Sequence, residues 1–253
     1  MRLTILQRDI VWASPRQNRR LNDEVIARLP ATDLIVLPEM FSTGFATRPA
    51  GIAEPEDSPT LAWMKAVAHE RDCALAGSLA VQTRQGQFVN RFYFVTPDGR
   101  EVHYDKHHLF TYGGEHLQFT AGRERVSVTW RGVRIRLLVC YDLRFPAWCR
   151  NTDDYDLALF VASWPTSRVD AWDTLLRARA IENQCYVAGV NRVGADPLCA
   201  YPGSSAIIDA YGRVLAGPGR DVEGVATAEV DLEWLSAFRQ KFPVLRDADP
   251  LQL

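Results

Sequence analysis

The sequence predicts a single α/β domain, and three observations carry that expectation. Strand-like and helix-like segments alternate through both halves of the chain, and no linker or composition break divides its 253 residues. The run Leu34-Ile35-Val36-Leu37 is continuous and apolar, the pattern of a strand buried on both faces. A chain of this length buries roughly 70–75% of its unfolded surface, enough for one large core. Residues 1–253 are therefore expected to fold as one unit.

Taken in order, residues 3–6 predict a first strand, and Ser14-Pro15-Arg16-Gln17 combines a capping serine, proline at the first helical position and glutamine at the third. A helix to about Leu29 follows. The strand over 34–37 runs into Pro38, with Glu39 just beyond its end. Ser58-Pro59 repeats the helix-start pattern for a helix over 61–69, and a strand is expected over 74–81. Turns at Gln85-Gly86 and Pro97-Asp98-Gly99 flank an apolar run over 88–95, predicting antiparallel hairpins with a further strand over 101–104. Residues 105–123 show no periodicity, and a structureless stretch of that length in a compact domain is usually functional. Strands over 126–130 and 133–139 are joined at Arg131-Gly132, the second ending at Cys140. A strand over 157–162 precedes a helix over 170–183. Strands follow near 186–190, 205–208 and 225–230, with turns at Ala210-Tyr211-Gly212 and Gly217-Pro218-Gly219, and a last helix covers 232–239.

Charge removes several function classes. The 29 Lys and Arg against 31 Asp and Glu give a net charge of -2, without the basic excess expected of a protein that neutralises nucleic-acid phosphates or lies on an anionic membrane. No apolar run approaches the ~20 residues of a membrane helix, and Arg2, Arg8 and Asp9 interrupt the N-terminus before an export signal develops. The five cysteines are an odd number with no CxxC pair, too sparse to staple a domain, so a reducing cytoplasm is the expected setting.

Three polar residues stand immediately beyond predicted strands: Glu39, Lys106 and Cys140. Ligands of α/β sheets collect at the carboxyl ends of strands. Each residue alone has an ordinary reading: a helix cap, a solvated lysine, a buried thiol. Together they supply a nucleophile, a base to take its proton and a cation to hold developing oxyanion charge. Cys73, Cys149, Cys185 and Cys199 read as packing.

The segments Leu37-Pro38-Glu39-Met40-Phe41, Tyr104-Asp105-Lys106-His107-His108-Leu109-Phe110 and Val139-Cys140-Tyr141-Asp142-Leu143-Arg144-Phe145-Pro146 resemble, in order and spacing, the three signatures of the nitrilase superfamily of carbon–nitrogen hydrolases. Phe41-Ser42-Thr43-Gly44-Phe45, Ala162-Ser163-Trp164-Pro165, Asn191-Arg192-Val193-Gly194 and Phe242-Pro243-Val244-Leu245-Arg246-Asp247 are similar to its ω-amidase branch. The resemblance implies a four-layer α-β-β-α sandwich and a Glu-Lys-Cys triad with neither metal nor organic cofactor. Glu39 would be the general base, Lys106 the oxyanion stabiliser and Cys140 the nucleophile, with the Tyr141 N–H as a second oxyanion donor. Glu115, inside the aperiodic 105–123 stretch, stands where the family often keeps a second glutamate. The expected substrate is a small-molecule monoamide of a dicarboxylic acid, such as 2-oxoglutaramate or 2-oxosuccinamate. Arg144 is a candidate for its free carboxylate, with a structural ion pair as the alternative, and Phe45 and Trp164 are candidate pocket walls. Family members usually dimerise, so a homodimer is expected, with the segment 242–253 as a possible arm onto the partner.

Three rivals stand beside this reading. Tyr141-Asp142 follows the cysteine where true nitrilases carry Trp-Glu and carbamoyl-amino-acid hydrolases Asn-Asp, yet a broader aliphatic amidase or an N-carbamoyl amide hydrolase fits the same triad. A non-catalytic binding protein on the same fold is a remote alternative. His103, His107, His108, Glu115 and His116 suggest a metal site, but residues four apart in a strand lie ~13 Å apart. The histidines are expected around Lys106 and the pocket mouth instead.

Overall fold

The alternation of apolar side chains along the first strands decides the layering. The structure is a computed structural model describing residues 1–249. In the N-terminal half, β1 (Arg2–Gln7) leads to helix α1 (Pro15–Ile26), β2 (Leu34–Val36), the short β3 (Glu54–Pro55), helix α2 (Pro59–Arg71) and the strands β4 (Ala74–Gln82), β5 (Phe88–Val95) and β6 (Glu101–Asp105). β1, β2 and β4 are parallel neighbours, and β4, β5 and β6 form an antiparallel meander. In β2, Leu34 and Val36 point into one core while Ile35 points into another with α1 and α2. In β5, Phe92 and Phe94 take the first side and Tyr93 and Val95 the second.

The C-terminal half repeats the plan. β7 (Ser127–Trp130) and β8 (Val133–Val139) form a hairpin, followed by the single-turn helix α3 (Pro146–Cys149), β9 (Leu157–Ala162), helix α4 (Val169–Glu182) and β10 (Tyr186–Asn191). β8, β9 and β10 are parallel. Then come β11 (Val193–Ala195), β12 (Ala200–Ile208), β13 (Val214–Arg220), β14 (Gly224–Glu229) and helix α5 (Leu232–Lys241). β13 pairs with β12 in the second sheet, whereas β14 returns to pair with β1 in the first. The core shared by Leu3, Ile5, Phe92 and Phe94 with Ile135, Leu137, Val139 and Leu159 joins the sheets face to face, while Trp172 and Leu176 of α4 extend it outward. The layers thus run helix, sheet, sheet, helix. No helix among the described residues is long and apolar enough to cross a membrane.

The expected elements are present with corrections: β12 begins at Ala200 rather than near Ser205, and the short strands β3 and β11 were not expected. Ser14 precedes α1 but makes no capping hydrogen bond, and α1 stops at Ile26 rather than near Leu29. Arg28 and Leu29 there close tighter bonds to Val25 and Ile26 ahead of Pro30, which disfavours helix before it. Gly217-Pro218-Gly219 lies inside β13 rather than in a turn. β13 pairs only with β12, through register shifts, and an edge strand tolerates a proline that a central strand would not. Of the expected C-terminal arm, 250–253 lie outside the described residues. Before them, the Gln184 side chain donates to the Phe242 carbonyl at 2.6 Å.

Candidate active site

The two sheets bring the ends of β2, β6 and β8 together, and four buried side chains meet there. Lys106 Nζ donates to Glu39 Oε1 at 3.1 Å and to Glu115 Oε1 and Oε2 at 3.1 and 2.9 Å. Asn90, from β5, donates through Nδ2 to Glu39 Oε1 at 2.7 Å and to Glu115 Oε1 at 3.4 Å. All four are fully buried. Two carboxylates against one ammonium leave a surplus negative charge, which backbone donors offset. The Phe110 N–H donates to Glu115 Oε2 at 2.6 Å, and the Ser163 N–H to Glu39 Oε2 at 2.7 Å. Burial, partly countered by Lys106, pushes the Glu115 carboxyl above the usual carboxylate range.

This count separates the two acids. Both Glu115 oxygens and Glu39 Oε1 each receive two donors, whereas Glu39 Oε2 receives only the Ser163 N–H. A carboxylate oxygen accepts about two bonds. Glu39 Oε2 is therefore the atom with room for a proton, and Glu115 is occupied in holding Lys106.

Cys140 follows β8 directly and opens a 3-10 turn, Cys140–Arg144, with φ of 44°. A non-glycine residue in this left-handed region stores about 1–3 kcal/mol of strain and needs surroundings that impose it. Asp142 supplies them. Its buried carboxylate accepts the Val139 N–H at 2.9 Å, the Tyr104 hydroxyl at 2.7 Å, the His108 N–H at 3.0 Å and His108 Nδ1 at 2.8 Å. Burial first, then the Asp142 charge, holds the Tyr104 phenol well above its ordinary pKa, so it stays a donor. The Tyr141 N–H lies in the first turn of this segment, where a backbone donor has no partner one turn back. The Cys140 thiol is pushed well up by burial and then by the Glu39 carboxylate, with Lys106 and the Ser163 N–H pulling the other way. At neutral pH it rests as a thiol.

Cys140 reaches solvent through a cavity of about 410 Å³. Phe45 and Trp164 form walls of it. Gly44, at φ 78° with a would-be Cβ only 3.0 Å from the Trp12 ring, allows the turn that delivers Phe45 under Lys106, whose Nζ is 5.2 Å from the ring centre. Arg144 lies over Trp164 at 4.9 Å, and Arg168 over Phe110 and Tyr112 at 5.3 and 5.8 Å. Arg144 and Arg168 both line the cavity, neither has an ion-pair partner among the described residues, and no acidic residue lines it with them. The structural ion pair considered for Arg144 is thus absent among the described residues.

Two expectations need correction. Cys199 is not core packing. It is partly exposed on the cavity wall, while Cys73, Cys149 and Cys185 are buried, with burial raising the first two to about 11 and about 12. The histidines do not surround the pocket mouth. His107 stacks on Trp148 at 3.7 Å, His108 stacks on Phe145 at 3.7 Å, and His103 lies beside Tyr93, so they brace the turn behind Cys140 and the β5–β6 pair.

Residues 2–240 match the family model described as carbon-nitrogen hydrolase. The chain belongs to the carbon–nitrogen hydrolase family. Among curated relatives it is 48% identical to a Yersinia enterocolitica protein named omega-amidase YafV, over 100% of this chain and 98% of the relative. It is 37% identical to a Bacillus subtilis protein named 2-oxoglutaramate amidase, over 97% and 96%. The solved structure of XC1258 from Xanthomonas campestris, a CN-hydrolase superfamily protein with an arsenic adduct in its active site, superposes with a TM-score of 0.96 at 43% identity, covering 100% of this chain and 98% of that one. The chain is accordingly an amidase-type enzyme of this family.

The structure also gathers residues that sequence reasoning on this carbon–nitrogen hydrolase missed. Asn90 is the clearest, and its signal was visible: a polar side chain inside the apolar run Phe88-Val89-Asn90-Arg91-Phe92 needs a partner if buried. The Ser163 N–H and the Asp142 network are partners of backbone or buried groups, which a residue list does not display. Arg168 is twenty-eight residues beyond Cys140, and only the packing of its turn places it on the same cavity.

Proposed function

We propose that this carbon–nitrogen hydrolase cleaves the ω-amide of a small dicarboxylic acid monoamide, of the 2-oxoglutaramate or 2-oxosuccinamate type, to the acid and ammonia through a thioester on Cys140. The observation that carries the substrate class is the cavity itself: a thiol opens into it beside two unpaired arginines, with no carboxylate on its lining. The names of the Yersinia and Bacillus relatives support the same class.

In this reading Glu39 Oε2 takes the Cys140 proton as sulfur attacks the amide carbon. The resting thiol is pushed up in pKa, so the transfer belongs with the attack, where Lys106 and the Tyr141 N–H meet the forming oxyanion. Glu39 returns the proton to nitrogen, the C–N bond breaks and ammonia leaves. Water then gives a proton to Glu39 and its oxygen to the acyl carbon, the C–S bond breaks, and the sulfur recovers the proton. Glu115 keeps Lys106 charged and aimed throughout. Burial alone would lower the lysine pKa, and the two carboxylates more than reverse this.

The carboxylate of the substrate is assigned to Arg144. Ammonia release across 2-oxo-acid ω-amides, glutamine, asparagine, N-carbamoyl amino acids, nitriles and neutral aliphatic amides should favour the oxo-amides. Arg144→Gln should lower kcat/KM for them about 10–100-fold, the worth of a charged hydrogen bond, mostly through KM. Neutral amides should be affected little. Equal turnover of neutral amides by the parent enzyme would favour the broader aliphatic amidase, and equal losses on both substrates would remove Arg144 from the carboxylate.

We also propose a homodimer acting in the cytoplasm. The five free thiols fit a reducing compartment. Ile181, Tyr211 and Phe242 are exposed apolar residues around α5: Tyr211 lies against Trp234 and Phe238, Ile181 against the turn at Gly212, and the Phe242 N–H donates to the Phe238 carbonyl, and such a patch favours burial against a second copy. Sedimentation equilibrium should give twice the 28.5 kDa chain mass, falling toward one chain in Phe238→Glu. A monomer in the parent protein would refute the dimer.

A further inference from the structure

Ser163 carries a buried polar group that the mechanism above leaves unused. Among the described residues its Oγ is the only buried side-chain hydroxyl oxygen with no hydrogen-bond partner. Such a hydroxyl costs about 1–3 kcal/mol, whereas alanine there would cost nothing of the kind. The position is also specific. Ser163 follows β9 as Cys140 follows β8, on neighbouring parallel strands paired at Val139 and Val161, and both residues line the cavity. Its own N–H donates at 2.7 Å to Glu39 Oε2, the carboxylate oxygen with room for a proton. The backbone carrying this hydroxyl is held firmly. Asn191 accepts the Trp164 N–H at 2.7 Å and donates to the Trp164 carbonyl at 2.9 Å.

We propose that Ser163 is a positioning residue for the hydrolytic water in the second half-reaction, an inference that rests on the thioester reading above. A serine hydroxyl turns among staggered rotamers, so Oγ reaches the cavity by rotation about χ1. The water donates one hydrogen to Ser163 Oγ and the other to Glu39 Oε2, which leaves an oxygen lone pair for the acyl carbon. Glu39 takes the second proton as the C–O bond forms. The C–S bond then breaks and the proton passes to sulfur, so thioester and water become acid and thiol. Ser163 neither gains nor loses a proton. In the first half-reaction the departing nitrogen is fixed by its covalent bond to the substrate. A free water has no such tether, and fixing it is where an added hydrogen bond gains most.

Because ammonia leaves in the first half-reaction and the acid in the second, the two are separable in time. In Ser163→Ala, rapid mixing with 2-oxoglutaramate should show a burst of one ammonia per active site at a rate near that of the parent, followed by turnover about tenfold slower, the scale of one hydrogen bond. An acyl-enzyme mass on the Cys140 peptide should accumulate, and added hydroxylamine should raise the hydroxamate-to-acid ratio. Ser163→Thr, which keeps the hydroxyl, should restore turnover and the parent ratio. A parallel fall of burst and steady-state rates in Ser163→Ala would overturn the proposal in favour of a structural role, and so would an unchanged partition ratio. If the parent enzyme itself yields neither hydroxamate nor an acyl-enzyme mass, the thioester reading fails first, a result distinct from either of these.

Discussion

Replacing Cys140 by alanine is expected to abolish ammonia release from ω-amides, with a loss of about five to six orders of magnitude, the scale on which a covalent hydrolase suffers when its nucleophile is removed. The fold should survive the change. The Cys140 side chain makes no hydrogen bond that holds the turn, because the Asp142 carboxylate and its four donors do that. Alanine at φ 44° is strained to the same degree as cysteine. The thermal midpoint should therefore stay within a few degrees of the parent value while activity disappears. Residual hydrolysis above one part in about a thousand of the parent rate would remove Cys140 from the reaction, because binding and oxyanion donors alone leave far less once a covalent nucleophile is gone. A collapse of the thermal midpoint would instead mean that the thiol supports the turn.

The second large effect is expected of Lys106→Met. Methionine fills much of the volume but leaves Glu39 and Glu115 buried around one site with no cation between them. Breaking a buried ion pair by removing one partner costs about 3–5 kcal/mol, and loss of an oxyanion donor costs about 10²–10³ in kcat. The pH dependence identifies the cause. In the parent, the lysine pKa is raised, so its stabilisation is complete below the ordinary lysine range and is lost only as pH rises through the raised, strongly alkaline value. Between pH 5 and 8 it is constant. In the variant, two buried carboxyls without a cation favour their protonated forms, so their folded pKa values rise above the unfolded ones. The folded state then binds more protons than the unfolded state, and stability falls as pH rises. Urea denaturation should show a larger deficit at pH 8 than at pH 5. An equal deficit at the two pH values would mean that packing, not charge, accounts for the loss.

The alternation of strands and helices was legible because its signals are local. Leu34-Ile35-Val36-Leu37 is apolar at every position because each side chain meets a core, Leu34 and Val36 on the sheet interface and Ile35 on the helices. Ser58 caps α2 through the Leu61 N–H at 3.1 Å, a bond between residues three apart. The 105–123 stretch reads as aperiodic because much of its order comes from single bonds to distant groups, among them the Thr120 N–H to the Phe88 carbonyl and the His108 N–H to the Asp142 carboxylate. Errors fell where a distant neighbour overrode a local signal. Gly217-Pro218-Gly219 has turn composition, yet the free backbone of β12 recruits it as an edge strand.

The amino-acid order alone settles which residues follow β2, β6 and β8: a carboxylate, an ammonium and a thiol at Glu39, Lys106 and Cys140. Strand periodicity and strand ends are written within a few residues of each other. The order does not say which oxygen of Glu39 is free, that Asn90 bridges the two acids, or that Arg144 and Arg168 share one cavity. Those facts are sums over groups from different strands and turns. Hydrogen-bond capacity and burial are properties of neighbours in space, and only the facing of the two sheets decides who those neighbours are.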